Sequence, residues 1–184
     1  MSLAKVGQPA PDFTMKTARP GDSAKTVGSP VSLADYKGKW LVLFFYPLDF
    51  TFVCPTEITA LSDRFSEFAE IEADILGVSI DSQFSHLAWM NTPRDKHGLG
   101  TLNFPLAADI TKKVANEYGV LIEEAGIALR GLFIIDPNGV LQYKVVNNLN
   151  IGRSTDETLR VLQALQTGGL CPSDWKPGKA LLTV

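Results

Sequence analysis

The segment FFYPLDFTFVCPTE, residues 44–57, gathers the reactive residues of this chain around one cysteine. Cys54 stands between an apolar run closed by Pro47 and a second proline, Pro55, which suits the first turn of a helix. A thiol at a helix start meets unpaired backbone amides and the positive end of the helix dipole. Both favour negative charge on sulfur, and therefore reaction. The bland alternative is a small buried hydrophobe, the commoner fate of a cysteine, and only position argues against it. Glu57 occupies the place where a disulfide exchanger carries its second cysteine, so CPTE is not C-x-x-C and the local dithiol route is closed. The remaining cysteine, Cys171, lies far down the chain. Two cysteines and two histidines, His86 and His97, miss the spacing of a zinc finger, so neither a metal nor a cofactor is expected. The histidines read as a surface or helix-packing pair, and spacing alone leaves a Cys-His hydrolase open.

The 184 residues suffice for one domain with a sizeable core. With 45% hydrophobic and 20% charged residues the chain reads as an ordinary packed protein. The net charge of -3, without a block of one sign, argues against a nucleic-acid partner. No apolar run approaches the roughly 18 residues that span a bilayer. Nor does the N-terminus carry a signal-like apolar region, so no membrane partner and a cytoplasmic location are expected. A reducing compartment would keep two sparse cysteines as thiols between chemical events.

The elements that must position Cys54 follow from periodicity. Residues 1–39 are rich in Pro, Gly and Ser, with a short strand expected over 31–33. WLVLFFY, residues 40–46, is continuously apolar, as in a strand covered on both faces. Ile58, Leu61, Phe65 and Phe68 recur at helical steps and predict one amphipathic helix after the cysteine. A strand over 75–80, a helix over 84–90 ending before Pro93, a strand within 103–108 and a helix over 109–118 continue the crossover pattern. Strands over 129–135 and 140–146 flank Asp136-Pro137-Asn138-Gly139 and read as a hairpin. Ser154 and Glu157 form a capping box for a last helix that Gly168-Gly169 stops. This order predicts an α/β fold of thioredoxin-like type: a central mixed β-sheet flanked by helices, preceded by an N-terminal extension.

Pro47, Thr51 and Cys54 match the P-x-x-x-T-x-x-C signature of the peroxiredoxins, and the chain resembles their two-cysteine alkyl hydroperoxide reductase and thioredoxin peroxidase branch. The likeness extends through APDF, HLAWMNTPR, RGLFIIDPNG, GRSTDETLR and a late CP followed by WKPG. It implies a single domain over residues 1–184, with 168–184 as a tail carrying a resolving cysteine. By this resemblance Cys54 is the peroxidatic nucleophile that a hydroperoxide oxidises to a sulfenic acid. Thr51 orients the peroxide, although a threonine there could merely cap the helix. Arg130 is aimed at Cys54, where an ordinary strand-end arginine would be solvated. Glu57 and Arg153 complete an ion-pair network around it, although Glu57 serves equally well as a first-turn carboxylate. Pro47 shields the sulfenic acid, although stopping a strand needs no catalysis.

The resemblance further implies that Cys171 of a partner subunit condenses with oxidised Cys54. The working unit is then a head-to-tail homodimer, with decamers formed from it. The substrates are hydrogen peroxide and organic hydroperoxides, and thioredoxin or a flavoprotein disulfide reductase supplies electrons. Relatives prone to overoxidation carry G-G-L-G where this chain reads His97-Gly98-Leu99-Gly100, and a late Tyr-Phe pair that it lacks, so resistance to overoxidation is expected. Two other classes stand beside the peroxidase: a redox-triggered, chaperone-like oligomeric assembly, and a disulfide exchanger that the missing C-x-x-C disfavours.

Overall fold

The computed structural model describes residues 3–183, which divide after Arg153 into two compact units, residues 3–153 and 154–183. In the first unit the chain runs β1 (Thr14–Ala18), β2 (Pro30–Ser32), β3 (Trp40–Phe45), α1 (Val53–Asp63), α2 (Phe65–Ala69) and β4 (Ala73–Ser79). It continues through α3 (Gln83–Asn91), β5 (Leu106–Ala108), α4 (Lys113–Glu117), β6 (Leu121–Ile122), β7 (Ile127–Ala128), β8 (Arg130–Ile135) and β9 (Leu141–Asn147). Seven strands form one mixed sheet in the order β2-β1-β5-β4-β3-β8-β9, and β6 and β7 pair separately.

The most continuously apolar strand lies inside the sheet. β3 runs parallel to β4 on one side and antiparallel to β8 on the other. Its alternate residues enter two apolar layers, since side chains of a strand point to opposite faces. Leu41, Leu43 and Phe45 join Leu76, Val78, Phe133, Ile135 and Tyr118 in one cluster. Phe44 and Tyr46 face the other way, where the Phe44 ring meets Phe104 edge-on and the Tyr46 ring lies beside Trp89. A strand buried on both faces has no polar side to alternate, which is why the run reads as solid hydrophobe.

Several boundaries depart from the periodicity. The helix expected through residue 68 is broken at Arg64, whose backbone (φ −105°, ψ 14°) separates α1 from α2. The helix expected from Asp109 begins only at Lys113, because Lys112 takes a left-handed conformation (φ 61°). Asp109 instead caps from outside, its buried carboxylate accepting the Val114 and Ala115 N–H groups at 3.2 and 2.7 Å. β1 escaped the sequence reading because TMKTA lacks an apolar run; its pattern comes from pairing with β2 and β5. The hairpin of β8 and β9 is as expected, with Gly139 at φ 83° in its turn.

Gly77 of β4 faces Phe44 across the parallel pair. A Cβ there would stand 2.7 Å from Leu106 Cδ2 and 2.8 Å from Phe44 Cζ. Both neighbours are locked in the core, so Gly77→Ala should lower stability by about 1–3 kcal/mol through overpacking. An unchanged urea midpoint would show that the strands can part at no cost.

In the second unit α5 (Thr155–Gln166) starts at Ser154, whose hydroxyl accepts the Glu157 N–H at 3.2 Å. The reciprocal half of the expected capping box is replaced: the Glu157 carboxylate is engaged by the Arg160 guanidinium at 2.6 and 2.7 Å. Gly168, at φ 65°, follows the end of the helix. The tail then folds on itself through a Leu170–Leu182 bridge and the buried Trp175, whose indole N–H donates to the Lys179 carbonyl at 2.9 Å. Among the described residues no helix is long and apolar enough to cross a membrane.

Candidate active site

β3 ends at Phe45, and the chain makes a turn through the buried Tyr46 and Pro47 before α1 begins at Val53. Phe50 within this turn has φ 53°, a left-handed backbone rarely adopted by a large residue. The turn brings the first residues of α1 back over the end of the sheet, with Cys54 in the first helical turn and fully buried. β8 runs antiparallel to β3, with Phe44 opposite Leu132. Arg130, at the start of β8, is therefore level with the end of β3, where α1 starts.

Two donors meet at the sulfur. The Thr51 hydroxyl lies 2.9 Å from Cys54 Sγ, and an Arg130 guanidinium nitrogen lies 3.4 Å from it. The same Arg130 nitrogen donates to Glu57 at 2.6 Å, while its Nε–H donates to the Leu149 carbonyl at 2.7 Å. Glu57, one helical turn after Cys54, also accepts from the Arg153 side chain at 2.7 and 3.1 Å and from the Arg153 backbone N–H at 2.7 Å. The rest of the Arg153 guanidinium donates to the Phe45 and Gly131 carbonyls at 2.9 and 2.6 Å, tying the network to β3 and β8.

Arg130, Glu57 and Arg153 are each at most 5% exposed at the side chain. Charges so far from water stay ionised only when paired and hydrogen-bonded, as these are. One carboxylate stands against two guanidinium groups, leaving a surplus positive charge beside the sulfur. The arrangement can hold a sulfur anion and donate a hydrogen bond to an oxygen reacting with it.

Of the residues singled out from sequence, Thr51, Cys54, Glu57, Arg130 and Arg153 are in one hydrogen-bonded group. Pro47 is buried in the turn leading to it. Cys171 belongs to the second unit and is a free, partly exposed thiol, 3.6 Å from the Ala164 carbonyl and 3.5 Å from the Thr167 hydroxyl. The histidines are not a pair: His97 is exposed, whereas His86 is fully buried in α3. The His86 ring nitrogens face Asp49 at 2.8 Å and the Ala107 carbonyl at 3.2 Å. That geometry commits the imidazole to a structural network and closes the Cys-His hydrolase reading.

A second polar group beneath the turn went unnoticed in the sequence. The Tyr46 hydroxyl donates to Asp49 at 2.8 Å, the Ser85 hydroxyl donates to Asp49 at 2.7 Å, and the Asp49 backbone N–H donates to Asp81 at 3.0 Å. Its one visible trace was an aspartate, Asp49, set between Leu48 and Phe50.

The model of the AhpC/TSA family matches residues 6–144. Peroxiredoxin-2 of Bos taurus is 56% identical over 179 residues, covering 95% of this chain and 87% of that one. The fold is shared with the reduced 2-Cys peroxiredoxin of Plasmodium vivax (TM-score 0.89, 42% identity, 96% of this chain and 91% of that one). It is also shared with Mycobacterium bovis AhpC (TM-score 0.84, 40% identity, 96% of this chain and 100% of that one). These solved structures bear out the thioredoxin-like reading of the sequence. Since the family model spans most of the chain and full-length relatives share more than half of its residues, the chain belongs to the AhpC/TSA family.

Proposed function

We infer that Cys54 is the peroxidatic residue of a thiol-dependent peroxidase and that the group around it is built for that one displacement. The observation that carries this is the buried sulfur with donors from Thr51 and Arg130 converging on it at 2.9 and 3.4 Å. The Cys54 thiolate attacks the terminal oxygen of a hydroperoxide. An S–O bond forms as the O–O bond breaks, sulfur is oxidised to a sulfenic acid, and the departing oxygen takes up a proton to leave as water or an alcohol. Thr51 orients the peroxide, Arg130 bears charge on the sulfur and the peroxide oxygens, Glu57 and Arg153 hold Arg130, and Pro47 keeps solvent from the sulfenic acid.

The thiol of Cys171, on a second subunit, then forms a disulfide with Cys54 and expels water. A thiol reductant, thioredoxin or a flavoprotein disulfide reductase, returns both cysteines to thiols. Residues 1–184 work as one peroxidase domain, with 168–184 as the tail that carries Cys171. Assembly of head-to-tail dimers into a decamer is supported by apolar side chains left at the surface: Phe52 is 87% exposed, and Phe50, Phe84 and Ile110 are each more than half exposed. Two free thiols suit the reducing cytoplasm. Relatives named as peroxiredoxins favour the peroxidase over a chaperone-like assembly.

The pairing is tested with Cys171→Ser. This variant should consume one equivalent of hydrogen peroxide per chain in a fast phase, keep a sulfenic acid that dimedone traps, and show no crosslinked dimer on a non-reducing gel. A crosslinked dimer that survives Cys171→Ser would remove Cys171 from the mechanism.

A further inference from the structure

The Thr51 hydroxyl has two acceptors and one proton. Its oxygen lies 2.9 Å from the Leu48 carbonyl and 2.9 Å from Cys54 Sγ. A hydroxyl donates to one acceptor at a time, so the position of the Leu48 carbonyl decides how Oγ1 and its lone pairs face the sulfur. When the proton goes to Leu48, the Thr51 oxygen can accept from a peroxide O–H. When it goes to sulfur, Thr51 stabilises the anion.

The Leu48 carbonyl cannot turn by itself. It shares a planar peptide unit with the Asp49 N–H, and in a trans peptide the two point in opposite directions. No cis peptide occurs among the described residues, and the Asp49 N–H donates to Asp81 Oδ2 at 3.0 Å. The same Asp81 oxygen accepts the Ser79 hydroxyl at 2.6 Å, and the Asp81 N–H donates back to that hydroxyl at 3.1 Å, which fixes the carboxylate at the end of β4.

The Asp49 side chain holds the plane from the other side. It is fully enclosed, takes hydrogen bonds from Tyr46 at 2.8 Å and Ser85 at 2.7 Å, and has His86 Nδ1 2.8 Å away. Tyr46 stays a donor: burial first, then the neighbouring Asp49 carboxylate, holds its phenol well above the usual range. The next residue, Phe50, sits at φ 53°, a left-handed conformation that persists only where its surroundings over-determine it.

We propose that Asp81 and Asp49 are positioning residues for the peroxidase step, which pin the Leu48–Asp49 peptide plane and through it aim the Thr51 hydroxyl at Cys54 and the bound peroxide. The proposal rests on the role given to Thr51 above. Asp81 acts from just beyond β4, held by Ser79, and Asp49 through Ser85 and His86 of α3, so two elements that carry no reacting atom set the geometry of the one that does.

The test is the second-order rate of Cys54 with hydrogen peroxide, followed by stopped flow in Asp81→Ala, Asp81→Asn, Tyr46→Phe and Thr51→Val, and in Asp81→Ala combined with Thr51→Val. Asp81→Ala should slow the reaction by about ten- to a hundredfold, the scale of a misplacement of roughly 1 Å. Asp81→Asn keeps an acceptor for the Asp49 N–H and should recover most of the rate. Tyr46→Phe, which removes one hydroxyl from a packed ring, should fall between them. In the Thr51→Val background Asp81→Ala should cost nothing further, because the aimed group is already gone. Alkylation of Cys54 by iodoacetamide, which uses no peroxide geometry, should change far less than the peroxide rate.

Additive losses in the double variant, or equal losses in alkylation and peroxide rate, would reduce Asp81 to general support of the fold and overturn the proposal. A wild-type rate in Asp81→Ala, with Thr51→Val slow, would overturn it while leaving the role of Thr51 intact. A wild-type rate in Thr51→Val would overturn both.

Discussion

Cys54→Ser should lose the fast consumption of hydrogen peroxide altogether, a fall on the order of a thousandfold or more. The substitution is close to isosteric and Cys54 has no solvent exposure, so the pocket should keep its shape. The serine hydroxyl can take the same hydrogen bonds from Thr51 and Arg130. What changes is the atom. A serine hydroxyl is not appreciably ionised at neutral pH, and oxygen cannot move up an oxidation ladder as sulfur does, so no sulfenic acid and no disulfide can follow. Circular dichroism should show the wild-type fold, stopped flow should show no fast phase, and a non-reducing gel should show no crosslinked dimer. Fast consumption surviving in Cys54→Ser would move the chemistry to another residue and defeat the proposed function.

The contrast between what was legible in the sequence and what was not follows from how far each signal reaches along the chain. The run at residues 40–46 reads as a strand buried on both faces, and Pro47 and Pro55 bracket the turn and the helix start around Cys54. Those are local signals. Arg130 and Arg153 lie 76 and 96 residues from their partners Cys54 and Glu57, and no periodicity reaches so far; they were found only because their motifs resemble a family. Residues given no role by such motifs carry no signal of this kind: Tyr46 belongs to an apolar run, Asp81 falls between the strand over 75–80 and the helix over 84–90, and His86 and His97 read as a surface or helix-packing pair. Yet His86 has no exposure and faces Asp49. A buried polar residue is invisible in sequence because its partner defines it, and the partner is brought by the fold. Likewise the breaks at Arg64 and Lys112 are backbone states that helical spacing does not encode.

Arg130→Lys and Glu57→Gln should separate rate from stability within one network. Lysine keeps the charge of Arg130 but offers one nitrogen in place of a planar fork. It cannot reach the Leu149 carbonyl, Glu57 and Cys54 together as the guanidinium does at 2.7, 2.6 and 3.4 Å. The peroxide rate should drop by about a hundred- to a thousandfold, the scale for losing one preorganised donor at a reacting centre. Stability should suffer less, because Glu57 keeps its contacts with Arg153. Glu57→Gln does the reverse. It leaves two guanidinium groups, each at most 5% exposed, without the carboxylate between them. Removing one partner from a buried charge network costs roughly 3–5 kcal/mol, so the urea midpoint should fall more in Glu57→Gln than in Arg130→Lys. Stopped-flow rates and urea unfolding of the two variants check the ordering. If Arg130→Lys proved the less stable of the two while reacting at the wild-type rate, Arg130 would be a structural cation and Thr51 alone would face the peroxide.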